Sequence, residues 1–472
     1  KHKARLRLTG TRRPLRLVCL GAGLACLLLL FPTGRLERFG VKTDVWDPAG
    51  SYRAGGCLAV FLRNTEFLEV EEPEDVTPER LEQIMAGVEP PEPAAVSVER
   101  PNIVAIMNES WADFEDYGNL TLSASVTNYI RSLDNAVYGH AYTSVFGAGT
   151  SASEFEFLTG NSMAFLPSGS IPYQQYVLGP TASLASILKA EGYSTLAFHP
   201  GERASWQRDR AYPRLGFDSY KCGDDMDVPQ TFEHGYVSDQ SDFEQIIWEL
   251  EHKEEGKPLF LFNVTIQNHG GYDTGLVPAA DAVHLESDEV ENPEVDEFLA
   301  AIRRSNEDLR WLVDELNARN EPTIVVFFGD HQPGFADWLF EETFGKPVES
   351  ASLEEVQARY RTPYFIWANA AARGKYGDTL ARIENADVTS LNYLSSLLLD
   401  ATGLPRDSRA LYRSALRQAL PAVNLNGYRD AEGTWHWFGE TVETDAQQKA
   451  EDALKSYAIV QYDQLFKDRS NR

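Results

Sequence analysis

Cysteine is scarce in this chain, with four in 472 residues and no Cys-x-x-Cys pair. That excludes the zinc and redox centres built on such pairs. Cys19 and Cys26 lie in an apolar N-terminal stretch, and Cys57 and Cys222 stand too far apart in sequence to argue for or against a bond. Positive charge is scarce too: 43 Lys and Arg face 71 Asp and Glu, a formal net charge of −28. Seven of those cations (Lys1, Lys3, Arg5, Arg7, Arg12, Arg13 and Arg16) crowd the first sixteen residues, which hold no acid, so the rest is more acidic still. Bulk charge of that sign excludes nucleic acid as a partner. An anionic substrate must be gripped by a local site. Internal repeats are absent as well.

What the chain does have is four short apolar runs that stop on polar residues. Asn102 to Met107 runs into Asn108-Glu109-Ser110, Thr195 to Phe198 into His199, Leu259 to Ile266 into Asn268-His269, and Thr323 to Phe328 into Gly329-Asp330-His331. Too short for helices and rich in β-branched and aromatic residues, they read as strands buried on both faces, the mark of a parallel sheet. Segments at helical spacing alternate with them: Leu184 to Glu191, Phe243 to Lys253, Asp296 to Leu316 and Leu391 to Leu399. A further strand is expected over Pro363 to Ala368. This alternation predicts an α/β fold with a mostly parallel central sheet flanked by helices. Open sheets of this kind bind ligands at the carboxyl ends of their strands, so the four polar stops predict one shared site.

The organisation expected around that unit has five parts. Residues 1–16 form a basic segment, retained in the cytoplasm by its charge. Residues 17–34 are uncharged and, at 1.5 Å per residue, reach roughly 27 Å, which predicts an uncleaved transmembrane helix with all that follows outside the cell. Residues 35–100 are a juxtamembrane collar and linker, including a helix capped by Thr77 with Pro78 at its first position and a stiff acidic stretch from Glu89 to Pro93. Residues 101–404 are the catalytic domain. Residues 405–472, with aromatics at Tyr428, Trp435, Trp437 and Phe438, form a smaller C-terminal subdomain.

Several side chains carry chemistry. Asp330 and His331, adjacent at one strand end, can reach one cation, and Glu109 supplies a second oxygen ligand; without cysteine, such an O/N set suits Mn²⁺, Zn²⁺ or Mg²⁺. In Gly147-Ala148-Gly149-Thr150-Ser151-Ala152-Ser153-Glu154 the glycines allow close backbone approach, and the residues after them open a helix whose N-terminus favours a phosphate. Thr150 at that junction is a nucleophile if a metal lowers its hydroxyl pKa. The loop from His199 to Arg210 concentrates three arginines with Trp206, and Arg208 is the expected phosphate contact. His269 stands where it can donate to a phosphoryl oxygen or a leaving group. The remaining histidines, His234 among them, are read as structural or exposed.

In this order and company the motifs resemble the lipoteichoic acid synthase family, in the sulfatase-like branch of the alkaline phosphatase superfamily. The likeness spans roughly residues 36 to 405. It implies that Glu109, Thr150, Asp330 and His331 hold Mn²⁺, that Thr150 is also the nucleophile, and that His199, Trp206, Arg208 and His269 line a glycerol phosphate pocket. By the same resemblance the donor is phosphatidylglycerol or a related anionic phospholipid, the acceptor a glycerol phosphate polymer or a glycolipid, and the by-product diacylglycerol. No Cys/Ser-x-Pro-x-Arg motif stands at Thr150, so sulfate-ester hydrolysis is not expected. A phosphoethanolamine transferase or phosphodiesterase of the same superfamily is the alternative enzyme, and a non-catalytic wall-polymer binding protein the alternative outside catalysis.

Overall fold

The computed structural model describes residues 13–30, 36, 40–43, 48–65, 70–88, 100–117, 120–134, 136–278, 281–286, 292–380 and 386–467. Two compact units result, one of residues 1–71 with 167–170 and one of residues 72–166 with 171–472.

Ten strands are found before the C-terminal region: β1 (Asn102–Asn108), β2 (Ala136–Tyr142), β3 (Ser194–His199), β4 (Ser219–Cys222), β5 (Phe232–Glu233), β6 (Tyr236–Val237), β7 (Leu259–Val264), β8 (Thr323–Gly329), β9 (Arg361–Ala368) and β10 (Val388–Ser390). Eight of them make one sheet in the order β10-β2-β9-β8-β1-β7-β3-β4, while β5 and β6 form a separate hairpin. Every neighbouring pair is parallel except those made by β9, which runs antiparallel to both β2 and β8. The mixed α/β architecture read from sequence is therefore the one observed. The four polar-ended runs are β1, β3, β7 and β8, and they lie side by side as β8-β1-β7-β3.

Burial explains why these runs carry no polar face: β1, β7 and β8 are buried at every residue. One face packs Val104, Ile106, Leu261, Val325 and Phe327 against Phe243, Ile246 and Leu250 of the Asp239–His252 helix and Phe298, Ile302 and Leu309 of the Pro293–Ala318 helix. Each such side chain contributes about 1.5–3 kcal/mol on leaving water. Against the other face lies the Thr150–Thr159 helix, whose Phe157 ring sits 5.6 Å from that of Phe262 and 4.6 Å from that of Phe328. The nucleophile's helix is thus anchored by the same strands that end at the site.

In the C-terminal region β11 (Ala422–Asn424), β12 (Gly427–Arg429) and β13 (Trp435–His436) form a small antiparallel sheet, followed by the Asp445–Tyr462 helix. Tyr393, Tyr412, Tyr428, Tyr457 and Val460 pack there with Leu81, Ile84 and Met85. Those last three come from the Pro78–Ala86 helix, where the Thr77 hydroxyl accepts the Arg80 N–H as its cap. Tyr457 donates its hydroxyl to the Gly160 carbonyl at 2.6 Å, so the C-terminal helix buttresses the far end of the Thr150 helix. Tyr428 is buried in this cluster, whereas Trp437 and Phe438 are exposed.

The transmembrane helix expected at the N-terminus is not shown. Residues Arg13–Leu30 are helical, but among the described residues no helix is long and apolar enough to cross a membrane. Arg13 and Arg16 occupy its first turn, and the apolar part from Leu17 to Leu30 reaches only about 21 Å at 1.5 Å per residue, short of the ~30 Å hydrocarbon layer. Residues 31–34, which complete the expected span, lie outside the described residues, as do basic residues 1–12 and the acidic stretch from Glu89 to Pro93.

Gly329 closes β8 against the backbone, because a Cβ there collides with the Trp111 carbonyl oxygen and meets Thr362 Cβ at 3.0 Å. Gly329→Ala is expected to cost about 1–3 kcal/mol in a thermal melt. Gly374→Ala is the control: Gly374 is helical with nothing within 4 Å of the added Cβ, so that variant should be unchanged or up to ~1 kcal/mol more stable.

Candidate active site

The parallel register of β1 and β8 sets Asn108 opposite Gly329, so the next residues, Glu109 and Asp330, emerge together at the carboxyl edge of the sheet. Asp330 is fully buried, and its Oδ1 accepts the backbone N–H of Ser110 at 2.7 Å and of His331 at 2.8 Å. Ser110 adopts a left-handed backbone (φ 50°) to aim that N–H inward. Oδ2 of Asp330 is buried with no hydrogen-bond partner, 3.2 Å from His331 Nε2, which in turn lies 3.7 Å from Glu109 Oε1. His331 Nδ1 faces the Gln332 carbonyl at 3.0 Å, an arrangement that assigns the proton to Nδ1 and the lone pair to Nε2.

One ligand atom from each of Glu109, Asp330 and His331 falls within 4.8 Å of the others. Burial and the charge of Asp330 push the Glu109 carboxyl up to about 8, against the opposing pull of His331 and Ser110. Two carboxyls and an imidazole in a dry site, with one oxygen orphaned, are costly without a counter-charge. The donor set fits a divalent cation of the Mn²⁺, Zn²⁺ or Mg²⁺ type.

Thr150 is the first residue of its helix, and the N-cap Gly149 stands at φ 100°. Gly147 (φ 71°) permits a close approach, since a Cβ there would come 2.8 Å from the Gly334 Cα. Its N–H donates to the Gln332 carbonyl at 3.0 Å, and Ser153 Oγ donates to the Asp330 carbonyl at 2.7 Å. Two hydrogen bonds therefore clamp the Thr150 loop and first helical turn onto the Asp330-His331-Gln332 segment. Thr150 is itself buried, where the helix N-terminus presents unpaired N–H groups and partial positive charge.

Arg208 is buried and held by a residue the sequence reading did not assign a role. Its Nε and Nη2 donate to Glu154 Oε1 at 2.9 and 2.7 Å, while the Tyr212 and Tyr173 hydroxyls donate to Oε2 at 2.6 and 3.1 Å. Nη1 stays outside that pairing. Glu154 lies one turn beyond Thr150, so the nucleophile's helix also orients the arginine. Trp206 and Gln207 precede it in left-handed conformations (φ 58° and 60°), a strained turn that carries the half-buried Trp206.

His199 ends β3 with Nδ1 2.8 Å from the Val264 carbonyl, which leaves Nε2 as the free lone pair. Burial first and then the Arg208 charge hold this imidazole well below its ordinary pKa, so it stays neutral. His269 is exposed and hydrogen-bonds through Nδ1 to the Tyr236 hydroxyl at 3.1 Å. Among the described contacts it touches none of the other assigned side chains, although its charge is felt by His199.

Behind the strand ends lies a buried polar lattice that sequence reading also missed. Asp239 Oδ2 accepts from Asn108 Nδ2 at 2.7 Å and Ser305 Oγ at 2.5 Å, and Asn268 Nδ2 donates to Asn108 Oδ1 at 2.8 Å. The residues just before Glu109 and His269 are thereby cross-linked. The two Asn side chains were visible as strand-end polar residues, but their common partner Asp239 was not.

With this geometry the chain takes its place among known proteins. A buried carboxylate and imidazole set stands at the ends of neighbouring parallel strands, near a hydroxyl residue at a helix N-terminus, the edge where open α/β sheets bind ligands. Residues 101–404 match the sulfatase family, and the chain belongs to that family. A protein from Rhizobium meliloti (strain 1021) named for cyclic beta-1,2-glucan modification is 30% identical over 351 residues, 73% of this chain and 53% of that protein. A lipoteichoic acid synthase from Staphylococcus saprophyticus is 24% identical over 268 residues, 55% of this chain and 39% of that one. The chain thus spans about half the length or less of these curated relatives. Among solved structures, the Streptococcus pyogenes phosphoglycerol transferase GacH in complex with sn-glycerol-1-phosphate superposes with a TM-score of 0.62 at 18% identity, covering 84% of this chain and 95% of that one.

Because the metal-free Glu109 carboxyl loses its proton only near pH 8, cation binding must expel that proton below this value. Mn²⁺ affinity measured by calorimetry is expected to rise from pH 6 to about 8 and then level off. The sign is that of a raised carboxyl: the metal-free fold is favoured with Glu109 protonated, and that contribution is lost as pH climbs through the raised value. Asp330→Asn should abolish the binding.

Proposed function

We propose that the chain is a metal-dependent phosphoglycerol transferase that works at the outer face of a cell membrane, taking glycerol phosphate from phosphatidylglycerol or a related anionic phospholipid. The observation that carries this reading is Thr150 at a helix N-terminus, clamped by Gly147 and Ser153 onto the segment that holds the orphaned Asp330 oxygen. Glu109, Thr150, Asp330 and His331 are the metal ligands, and His199, Trp206, Arg208 and His269 form the headgroup pocket. Mn²⁺, Mg²⁺ or Zn²⁺ bound there would lower the pKa of the Thr150 hydroxyl and offset charge on the phosphoryl oxygens.

Thr150 Oγ1 gives up its proton to solvent and attacks phosphorus, the bond to the diacylglycerol oxygen breaks, and a glycerophospho-threonine remains. Arg208, fixed by Glu154 through Nε and Nη2, turns Nη1 to the transferring oxygens, a contribution of about 3–4 kcal/mol for one preorganised donor. His199, kept neutral, accepts a hydrogen bond from a glycerol hydroxyl at Nε2. His269 protonates the departing diacylglycerol oxygen and then takes the proton of the acceptor hydroxyl, whose oxygen displaces Thr150 from phosphorus. The acceptor is a hydroxyl of a glycan, glycolipid or glycerol phosphate polymer, and the relative named for glucan modification supports a glycan.

Purified protein with Mn²⁺ and fluorescent phosphatidylglycerol should release diacylglycerol, and intact-mass analysis should find the glycerophosphoryl adduct on Thr150. Thr150→Ala is expected to lower release by about 10³-fold or more. Undiminished release from that variant would remove Thr150 as nucleophile. Glu154→Gln keeps an acceptor for Arg208 but removes the counter-charge of a buried pair, so a loss of about 10²-fold in kcat together with a lower melting temperature is expected.

A further inference from the structure

The transfer scheme gives His269 two proton transfers, and the side chain that meets its ring comes from the β5–β6 hairpin. The Tyr236 ring lies 5.2 Å from the imidazole, and its hydroxyl is hydrogen-bonded to His269 Nδ1. We infer that Tyr236 is a positioning residue: it holds neutral His269 as the tautomer with its proton on Nδ1, which leaves Nε2 as the atom that exchanges protons.

A triangle of contacts carries the inference. His269 Nδ1 lies 3.1 Å from the Tyr236 oxygen and 3.3 Å from the Gly270 carbonyl oxygen, and the Tyr236 oxygen lies 3.1 Å from that same carbonyl. A carbonyl oxygen only accepts, so each neighbour must bring it a proton. With the proton on Nδ1, the ring N–H donates to the tyrosine oxygen, shared with the carbonyl, and the tyrosine O–H donates to the carbonyl. All three contacts are then satisfied. With the proton on Nε2, the Nδ1 lone pair faces the carbonyl lone pairs, and the one tyrosine proton cannot serve both.

The hairpin is placed for this task. His234, buried at its turn, is bonded through Nε2 to the carbonyl of Gln267, two residues before His269. The Tyr236 ring stands 5.4 Å from that of His234, which stacks on Tyr272 at 6.0 Å, and Tyr272 donates its hydroxyl to the Asn268 carbonyl at 2.6 Å. Tyr236 therefore reaches His269 from an element tied to the two residues that precede it.

Electrostatics link the pair to the rest of the site. The Tyr236 hydroxyl is raised above its ordinary pKa, by burial first and then by the negative charge of Glu109, so it keeps the proton it donates to Gly270. The charge of His269 in turn is felt by His199. Tyr236 and His269 thus stand within reach of both the carboxylate cluster and the expected headgroup pocket.

In the transfer scheme Nε2 then carries both steps. As the N–H of an imidazolium it gives its proton to the departing diacylglycerol oxygen, and as a lone pair it takes the proton of the acceptor hydroxyl, while Nδ1 keeps its own proton throughout. Without the Tyr236 hydroxyl the neutral ring is free to carry its proton on Nε2, a form that cannot accept there. This role rests on the transferase reading, whereas the tautomer is a property of the chain alone.

Long-range proton–nitrogen NMR spectra of the metal-free full chain, labelled in its histidine rings, read the tautomer at about pH 8.5, where an ordinary imidazole is neutral. His269→Gln identifies the resonances by their loss. Wild type is expected to show a proton on Nδ1 and none on Nε2, and Tyr236→Phe, which keeps the ring contacts, to show a population protonated on Nε2. A proton on Nε2 in wild type, or an unchanged tautomer in Tyr236→Phe, would overturn the inference. Diacylglycerol release by the same proteins adds a second readout: Tyr236→Phe is expected to lower kcat about tenfold with KM unchanged, and to cause no further loss in a His269→Gln background. The same loss in both backgrounds would also overturn it. Absence of release from wild type removes the transferase reading and leaves the tautomer to be decided by the spectra.

Discussion

Parallel pairing of β1 with β8 is the constraint on which the site depends. A parallel ladder brings equivalent ends of two strands to one edge, and this register makes Asn108 and Gly329 partners. Glu109 and Asp330 then have nowhere to emerge but side by side. In an antiparallel pair the two ends would face opposite edges and no shared ligand set would exist. β9, the one strand that reverses direction, carries none of the site residues and borders β8 on the side away from β1.

Buried charge is the second constraint, and it follows from the first. Glu109, Asp330, Asp239 and Asp242 are all buried near the same strand ends, and burial lifts the carboxyls of Glu109, Asp239 and Asp242. Asp239 is stabilised by Asn108 and Ser305, and Asp330 by the N–H groups of Ser110 and His331; each keeps one oxygen with no donor, and that of Asp330 lies 3.2 Å from His331 Nε2. Arg208 is a buried cation whose charge reaches Glu109, yet it is already paired with Glu154, whose other oxygen accepts from two tyrosine hydroxyls. That leaves the carboxylate pair short of positive charge, which is the physical case for a metal.

Much of this was legible in the sequence, for a definable reason. Strands buried on both faces must be apolar throughout, so β1, β3, β7 and β8 announce themselves and so do the polar residues that stop them. Capping chemistry is local, and the Thr77-Pro78 start was read as it stands. Strand direction is not local: the run from Pro363 to Ala368 is apolar in either sense, and nothing in it marks β9 as antiparallel. Glu154 could not be paired with Arg208 because 54 residues separate them and tertiary packing alone joins them. β2, half-buried over its first residues, lacks the apolar run that betrays the others, and two-residue strands such as β5 and β6 carry no periodicity at all. His234, read as structural or exposed, is buried and bonded to the Gln267 carbonyl, and Tyr236 went unread because 33 residues separate it from His269. The N-terminal expectation is not shown, since the described helix stops at Leu30 and residues 31–34 of the expected span lie outside the described residues.

The strand ends that carry the candidate site are cross-linked by buried side chains in a way the surface hairpin is not. Asn108 and Asn268 are hydrogen-bonded to each other and, with Ser305, tied to Asp239, so the strand ends bearing Glu109 and His269 cannot shift independently. Breaking that lattice leaves buried polar groups unsatisfied at a cost of about 1–3 kcal/mol each, which fixes the phosphoryl-transfer geometry. The β5–β6 hairpin, by contrast, is built of two-residue strands, and its Glu233 meets Arg304, an exposed side chain of the Pro293–Ala318 helix, at 3.5 Å. Substitutions there need not disturb the sheet or the buried lattice.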